Sequence, residues 1–316
     1  MLETFAWGSG YSLNYNFSVT IPLLETISLD IKNKNLKMKK VNNKYSSETG
    51  PCVRSCKVIQ DKCGTRKSFE QWFVGFTDGD GTFNVYTSVK SNKISLTFKI
   101  SQKALNKQVL HYMKKELGVG KVSKVYNGMV SYSIRDRKSI MKVIIPLFDS
   151  NSLHTLKYND YIKFKKALEI WVDDSKSQDV KIKLINGIER GELIRESKVS
   201  KDWIVGFTEA EGSFYLSKKG EGRIAHGFGI TQKHDKHLLE QIKVFFTIKS
   251  KVRWNKGGHW ALDAGDENSL KRIKNFFFRR FKGRISLIYR IWGRSFRDKG
   301  KYSKLLLISN HIKKLR

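Results

Sequence analysis

The sequence predicts an α+β protein built from two pseudo-symmetric copies of one unit, with packed motif helices and two antiparallel, saddle-shaped sheets open on one face. Three observations predict it. Residues 72–83 read Trp-Phe-Val-Gly-Phe-Thr-Asp-Gly-Asp-Gly-Thr-Phe and return at 203–214 as Trp-Ile-Val-Gly-Phe-Thr-Glu-Ala-Glu-Gly-Ser-Phe, a repeat long enough to mark a copied structural unit. The spacing persists beyond the motif, since Trp72 and Trp203 are 131 residues apart while Gln102 and Gln232, each in an Ile-Ser/Thr-Gln-Lys run, are 130 apart. After each motif the hydrophobic pattern changes from helical to strictly alternating, which places strands directly behind a helix.

The elements follow in order. Residues 1–66 differ from the rest and form an N-terminal leader or extension: an apolar opening at Phe5-Ala6-Trp7, a basic stretch over 32–44 and a turn signal at Gly50-Pro51, without the ordered features of a signal peptide. The first unit covers 67–172. Behind its motif helix, Phe83 to Tyr86 and Ile94 to Ser101 alternate, putting Ile94, Leu96, Phe98 and Ile100 on one face and polar or basic residues on the other. Residues 109–117 predict a helix stopped at Gly118-Val119-Gly120, and Asn127-Gly128 predicts a tight hairpin. A charged linker over 173–200 carries an apolar-periodic patch at 180–188 and is partly helical. The second unit, 201–316, repeats the plan with a strand at 224–230, a helix at 238–246 and a hairpin turning at Gly257-Gly258.

Charge sets the class of partner. The 316 residues hold 61 Lys and Arg against 29 Asp and Glu, a net +32, so the fold carries a field suited to a polyanion. No apolar run reaches the roughly 18 residues that would span a bilayer, so no membrane role is expected. Cys52, Cys56 and Cys63 are odd in number and have no histidine nearby, which supports neither a disulfide framework nor a zinc site. The seven histidines show no metal-ligand spacing, and no Ser-His or Cys-His pair marks a nucleophile.

Within the motif, Gly75 and Gly79, and likewise Gly206 and Ala210, are four apart, so each helix presents a strip nearly free of side chains and two strips let backbones approach closely. Asp80 and Glu211 then lie where each helix runs out into Gly81 or Gly212, expected C-terminal stops, and the two carboxylates should meet at the bottom of the saddle. A helix C-terminus and a second acid both oppose ionisation, so a hard divalent cation, Mg²⁺ above all, is expected to offset them. Asp78 and Glu209 point elsewhere on their helices and are expected to be structural hydrogen-bonding groups.

At these residues the chain resembles the LAGLIDADG homing endonucleases in their single-chain, two-motif form, through 73–81 and 204–212 and onward through most of 68–310. The resemblance implies an αββαββα unit used twice, sheets lying in the DNA major groove, and metal-dependent cutting of both strands across the minor groove to leave short 3′ overhangs. It implies that Asp80 and Glu211 bind the metal with help from the carbonyls of Gly79 and Ala210, and that Gln102 and Gln232 position the attacking water. It also implies a charge-stabilising lysine late in each unit, matched by Lys157 in the first and by either Lys282 or Arg284 in the second. The outward sheet positions Ser95, Thr97, Lys99, Ser101 and Lys103, and Arg223, Thr231 and Lys233, with Arg135 and Arg253 on the hairpins, are candidates for DNA contact.

The expected function is therefore site-specific cutting of double-stranded DNA in intron homing, by a monomer with internal pseudo-two-fold symmetry. The alternative is a maturase that binds group I intron RNA and assists splicing, with or without cutting; a regulator that binds DNA without cutting it ranks below both, because intact acids at both motifs favour the nuclease. A composition rich in Lys, Ile and Asn with three Pro points to an organelle, mitochondrial or plastid.

Overall fold

The computed structural model describes residues 52–191, 198–220 and 222–316, with side chains from residue 65. The expected leader therefore lies largely outside the described residues, as do the three cysteine side chains and residues 192–197 of the linker. The first motif helix, α1 (Cys52–Asp80), runs through the boundary expected at residue 66.

Each unit then builds one sheet. Strands β1 (Gly81–Ser88) and β2 (Lys93–Lys103) pair antiparallel, α2 (Lys107–Leu117) crosses behind them, and β3 (Lys121–Val122) with β4 (Met129–Ile134) completes a sheet of order β1-β2-β4-β3. Gly118 ends α2 at φ 73°, where only glycine is unstrained. The Asn127-Gly128 hairpin forms as expected, with both residues at positive φ and Tyr126 exchanging two backbone hydrogen bonds of 2.9 Å with Met129. Helices α3 (Arg137–Ser139) and α4 (Ile145–Ser150) flank a π-helical turn at Ile140–Ile144; α5 (Lys157–Val172) and the linker helix α6 (Gln178–Asn186) follow.

The second unit repeats the order. It runs α7 (Lys201–Glu211), β5 (Gly212–Lys218), β6 (Ile224–Gln232), α8 (Lys236–Phe246), β7 (Arg253–Asn255), β8 (His259–Ala264), α9 (Glu267–Phe276), α10 (Ile285–Arg294) and α11 (Tyr302–Lys314), with sheet order β5-β6-β8-β7. Ser200 caps α7 by accepting the Trp203 N–H at 3.0 Å. Among the described residues no helix is long and apolar enough to cross a membrane.

The aromatic cores are equivalent residue by residue. Phe83, Phe98, Tyr161 and Phe164 cluster behind the first sheet; Phe214, Phe228, Tyr289 and Trp292 occupy the same places behind the second. Tyr161 and Tyr289, like Phe164 and Trp292, are 128 residues apart, so the late helices α5 and α10 align with that offset. All eight side chains are buried, and burying each contributes roughly 2 to 3 kcal/mol relative to exposure.

The glycine strips do what the spacing predicts. A Cβ built on Gly206 would lie 1.9 Å from the Trp72 carbonyl oxygen, and one on Gly75 would lie 2.1 Å from that of Trp203, so only glycine admits this approach of α1 and α7. The helices stop at the glycines after the acids as expected, α1 at Asp80 and α7 at Glu211, but not through a left-handed cap. Gly212 sits in extended backbone at φ −80°, ψ 153°, and Gly81 is not among the residues at positive φ. Neither is a left-handed stop; a Cβ at Gly81 or Gly212 would strike the Cγ2 of Thr77 at 2.3 Å or of Thr208 at 2.4 Å, so it is space over the preceding turn that requires glycine there.

Candidate active site at the seam of the two units

The seam is locked by reciprocal bonds. Trp72 Nε1 donates to Glu209 Oε2 at 2.9 Å and Trp203 Nε1 donates to Asp78 Oδ2 at 2.7 Å, each from one unit into the other. Asp78 also accepts the His154 and Thr155 N–H groups and the Thr155 hydroxyl, while Glu209 accepts the Lys282 and Gly283 N–H groups. The first acids of both motifs are thus structural, as expected, and they tie each motif helix to the late loop of its own unit. Burial raises the pKa of both carboxyls, that of Glu209 to about 7, against the opposing pull of these hydrogen bonds.

Two residues on, the helices deliver Asp80 and Glu211 to a common place. A Cβ on Gly79 would meet Glu211 Cγ at 3.2 Å and Ala210 Cβ at 2.4 Å, so the end of α1 lies against the end of α7. Burial raises the pKa of Glu211 to about 7, with the Asp80 charge adding to the effect and Lys157 opposing it. Asp80 is raised by burial as well, against a Gln102 hydrogen bond and Lys157. Two partly buried carboxylates whose ionisation burial opposes, with the Asp80 charge adding to the effect at Glu211, form an oxygen-donor site suited to a hard divalent cation. Among the described residues no cluster of three or more His, Cys, Asp or Glu side chains forms a metal site, so further ligands would be backbone carbonyls, water or the substrate's own oxygens.

Gln102 and Lys157 fall where expected. Gln102 Nε2 donates to Asp80 Oδ2 at 2.6 Å and its Oε1 accepts from Asn106 Nδ2 at 2.8 Å. Asn106 Oδ1 in turn accepts the Arg284 N–H at 2.7 Å, so a loop of the second unit fixes the first unit's acid through two amides. Lys157 Nζ donates to the carbonyls of Thr77, at 3.3 Å, and Gly79. The Gly79 carbonyl therefore gives one lone pair to the ammonium. Burial lowers the Lys157 pKa, against the attraction of Asp80, Asp78 and Glu211.

The second unit is not a copy of this arrangement. Gln232 lies on the core-facing parity of β6, as Gln102 does on β2, yet among the described residues no hydrogen bond joins it to Glu211. Asp235, in the place of Asn106, accepts the Leu156 N–H at 3.1 Å. Because Thr155 and Gly283 donate to equivalent acids, and Leu156 and Arg284 to equivalent caps, the counterpart of Lys157 is Ile285. Neither expected candidate takes its place: the Lys282 ammonium stacks over Tyr112 at 5.7 Å, and Arg284 Nε donates to the Leu315 carbonyl at 2.5 Å.

On the open sheet face, Lys99, Lys103, Thr231 and Lys233 are exposed and Ser101 is partly so, bonding Ser131 at 2.9 Å; Arg135 is exposed just past the end of β4 and Arg223 just ahead of β6. Thr97 is the exception, only 6% exposed, which leaves little surface for a groove contact. The second face also holds a group that the sequence reading passed over. Tyr215 lies over Gly227 and Gly229, its hydroxyl donates to Asp263 Oδ1 at 2.9 Å, and Asp263 Oδ2 accepts Arg253 at 2.7 Å. Asn106, Asp235 and Asp263 were missed because each matters through a partner distant in sequence; the signal for the first two was an Asn or Asp at the start of the next helix, four places after Gln102 and three after Gln232.

Comparison with known proteins agrees with this geometry. The sequence pattern described as LAGLIDADG endonuclease matches residues 73–168 and 204–283. A probable intron-encoded endonuclease, Cox1-I1b of Schizosaccharomyces pombe, is 36% identical over 282 residues, covering 84% of this chain and 73% of the relative. Among solved structures, the LAGLIDADG meganuclease I-CpaMI bound to uncleaved DNA superposes with a TM-score of 0.66 at 20% identity, over 76% of this chain and 98% of that one. I-SmaMI bound to an uncleaved DNA target in the presence of calcium ions gives 0.63 at 21% identity, over 78% and 97%.

Proposed function

We propose that this chain, which belongs to the LAGLIDADG endonuclease family, is a site-specific endonuclease that hydrolyses one phosphodiester bond in each strand of a double-stranded DNA target. The observation that carries the proposal is the convergence of Asp80 and Glu211 at the ends of two helices locked together by glycine contacts and reciprocal Trp–carboxylate bonds. A net charge of +32 supplies the long-range attraction to the duplex. The activity serves intron homing in an organelle, the mitochondrion, in line with the intron-encoded relative and with the composition.

Asp80 and Glu211 would hold the cation, Mg²⁺ in the cell, beside the carbonyls of Gly79 and Ala210. Once bound, a divalent cation lowers the pKa of a nearby water and offsets charge on the attacked phosphate. The protein's own part is position and field. Gln102 holds the Asp80 carboxylate still and presents amide groups to the water beside it. Lys157, an ammonium with a depressed pKa, stabilises negative charge that develops on the phosphate oxygens. The open sheet faces lie in the major groove, and the seam meets the minor groove between them, which gives cuts with short 3′ overhangs.

The chain acts as a monomer, since both halves of the site lie within it. Its two intact acids at the seam support cutting over a role confined to RNA splicing, which needs neither. The test is a duplex spanning the joined exons of the host gene, incubated with Mg²⁺. Wild-type protein cuts both strands there, while Asp80→Asn and Glu211→Gln bind the duplex but leave it intact. A wild-type protein that leaves the junction whole and speeds splicing of the intron RNA would overturn the proposal.

A further inference from the structure

The two halves of the site are unequally equipped. In the first, Gln102 grips Asp80, and Lys157 sits beside both carboxylates. In the second, Ile285 stands where the lysine would be, and no hydrogen bond joins Gln232 to Glu211 among the described residues. The equivalence of Lys157 with Ile285 rests on four independent pairs at the same offset of 128: Thr155 with Gly283 on the structural acids, Leu156 with Arg284 on the caps, Tyr161 with Tyr289 and Phe164 with Trp292 in the cores.

Among the described residues no other cation fills the gap. Ile285 lines a cavity at the seam with Asp80, Gln102 and Ala210, and Arg284 lines it too. Lys103 and Arg316 line the cavity as well, but all three cations are turned to backbone: Arg284 Nε donates to the Leu315 carbonyl, Lys103 Nζ to the Arg316 carbonyl at 3.0 Å and the Arg316 guanidinium to the Phe214 carbonyl at 2.8 Å. Among the described residues Lys157 is the one cation that acts on either acid.

We propose that this built-in asymmetry makes the enzyme cut its two strands in sequence, with the phosphate that meets the Ile285 side cut second. The chemistry is the same hydrolysis on each strand: a water oxygen bonds to phosphorus, the P–O3′ bond breaks, and the 3′ oxygen leaves with a proton. What differs is the fixed positive charge beside the developing oxyanion, and loss of one such group typically slows a reaction a hundredfold or more. The inference rests on the nuclease reading above.

The test is a single-turnover time course on supercoiled plasmid carrying the target, with the two strands followed separately and enzyme in saturating excess. Wild type should convert supercoiled DNA to nicked circles before linear product appears, with one strand cut at least about tenfold faster. Ile285→Lys should raise the slow strand's rate and narrow that ratio, Ile285→Met should leave the ratio unchanged, and affinity for the uncut duplex without added divalent cation should match wild type for both within about threefold. Equal strand rates in wild type, with linear DNA forming directly, would overturn the inference and leave the nuclease reading standing. No cut in either strand would remove that reading and the inference with it.

Discussion

Replacing Gly206 by alanine sets two magnitudes against each other. Helix propensity alone makes the change favourable by about 1 kcal/mol, since glycine is the costliest ordinary residue inside a helix. The seam makes it unfavourable, because the new Cβ would lie 1.9 Å from the Trp72 carbonyl oxygen, 2.8 Å from Trp72 C and 2.8 Å from Phe76 N. These are backbone atoms of the opposing helix, so no rotamer relieves them. The helices must part by more than 1 Å to restore ordinary contact, and forced expansion of a packed interior costs about 1 to 3 kcal/mol or more.

The net expectation for Gly206→Ala is a loss of up to about 2 kcal/mol, or a thermal midpoint lower by roughly 3 °C for a chain of 316 residues. Gly187→Ala, at the end of α6, is the control: its Cβ would meet Leu184 O at an ordinary 3.5 Å, and its stability should stay within about 0.5 kcal/mol of wild type. The double variant Gly75→Ala/Gly206→Ala should lose less than the two singles together, because one displacement accommodates both methyls. Cleavage by Gly206→Ala should fall about a hundredfold, since misplacing reacting groups by about 1 Å costs that much. A Gly206→Ala protein that melts at or above wild type would refute close backbone approach as the organising contact.

Further outcomes follow from single sites. The Thr208 hydroxyl is buried without a hydrogen-bond partner among the described residues, so Thr208→Val should raise the midpoint in thermal melts by the equivalent of about 1 kcal/mol. His226 is buried on Phe296 with its pKa lowered by burial to about 4 from 6.5. As pH falls from 6.5 to 4, the unfolded chain takes up a proton that the folded one refuses, so stability is lost, by up to about 3 kcal/mol; melts of His226→Leu should lack that slope. Glu211, raised to about 7, would have to lose its proton to hold the proposed cation, so cleavage should drop nearly tenfold per pH unit below 7, read from single-turnover rates. Arg253→Ala should relax preference at one base pair of a randomised target if the Asp263-braced guanidinium reads guanine, whereas uniform weakening across the library would make it a phosphate contact.

Much of the fold was legible because its signals are local or repeated. Alternation in 94–101 gave a strand with the right face inward, and Asn127-Gly128 gave the hairpin turn, because both depend on neighbours a few residues away. The duplication gave the pairing of the motif helices, since a small residue at every fourth position has few other uses. What stayed hidden depends on contacts between distant segments. Thr97 looked available on its strand and is covered in the sheet; Gly81 and Gly212 do follow the helix ends, but what requires glycine there is clearance over Thr77 and Thr208 rather than a left-handed cap. The second-unit lysine could not be placed because Phe281 to Leu287 offers two basic residues near the expected position, and only the hydrogen bonds from Gly283 and Arg284 set the alignment that puts Ile285 there.

The position of the acids is a consequence of register between two helices, and this accounts for how a chain carrying 61 cations keeps carboxylates together at its centre. Trp72 reaches forward across the seam to Glu209 while Trp203 reaches to Asp78, so a slide of one helix against the other would break both bonds and drive Gly75 and Gly206 out of contact. Four constraints therefore fix one sliding coordinate. Asp80 and Glu211 lie two residues beyond the clamped acids on rigid helix, so their separation inherits that precision without any loop having to order. The repulsion between them is held by apolar packing at the seam, where Phe76, Trp203 and Phe207 are fully buried. A cation arriving at the acids relieves that repulsion, so occupancy of the site and cohesion of the two halves should rise together.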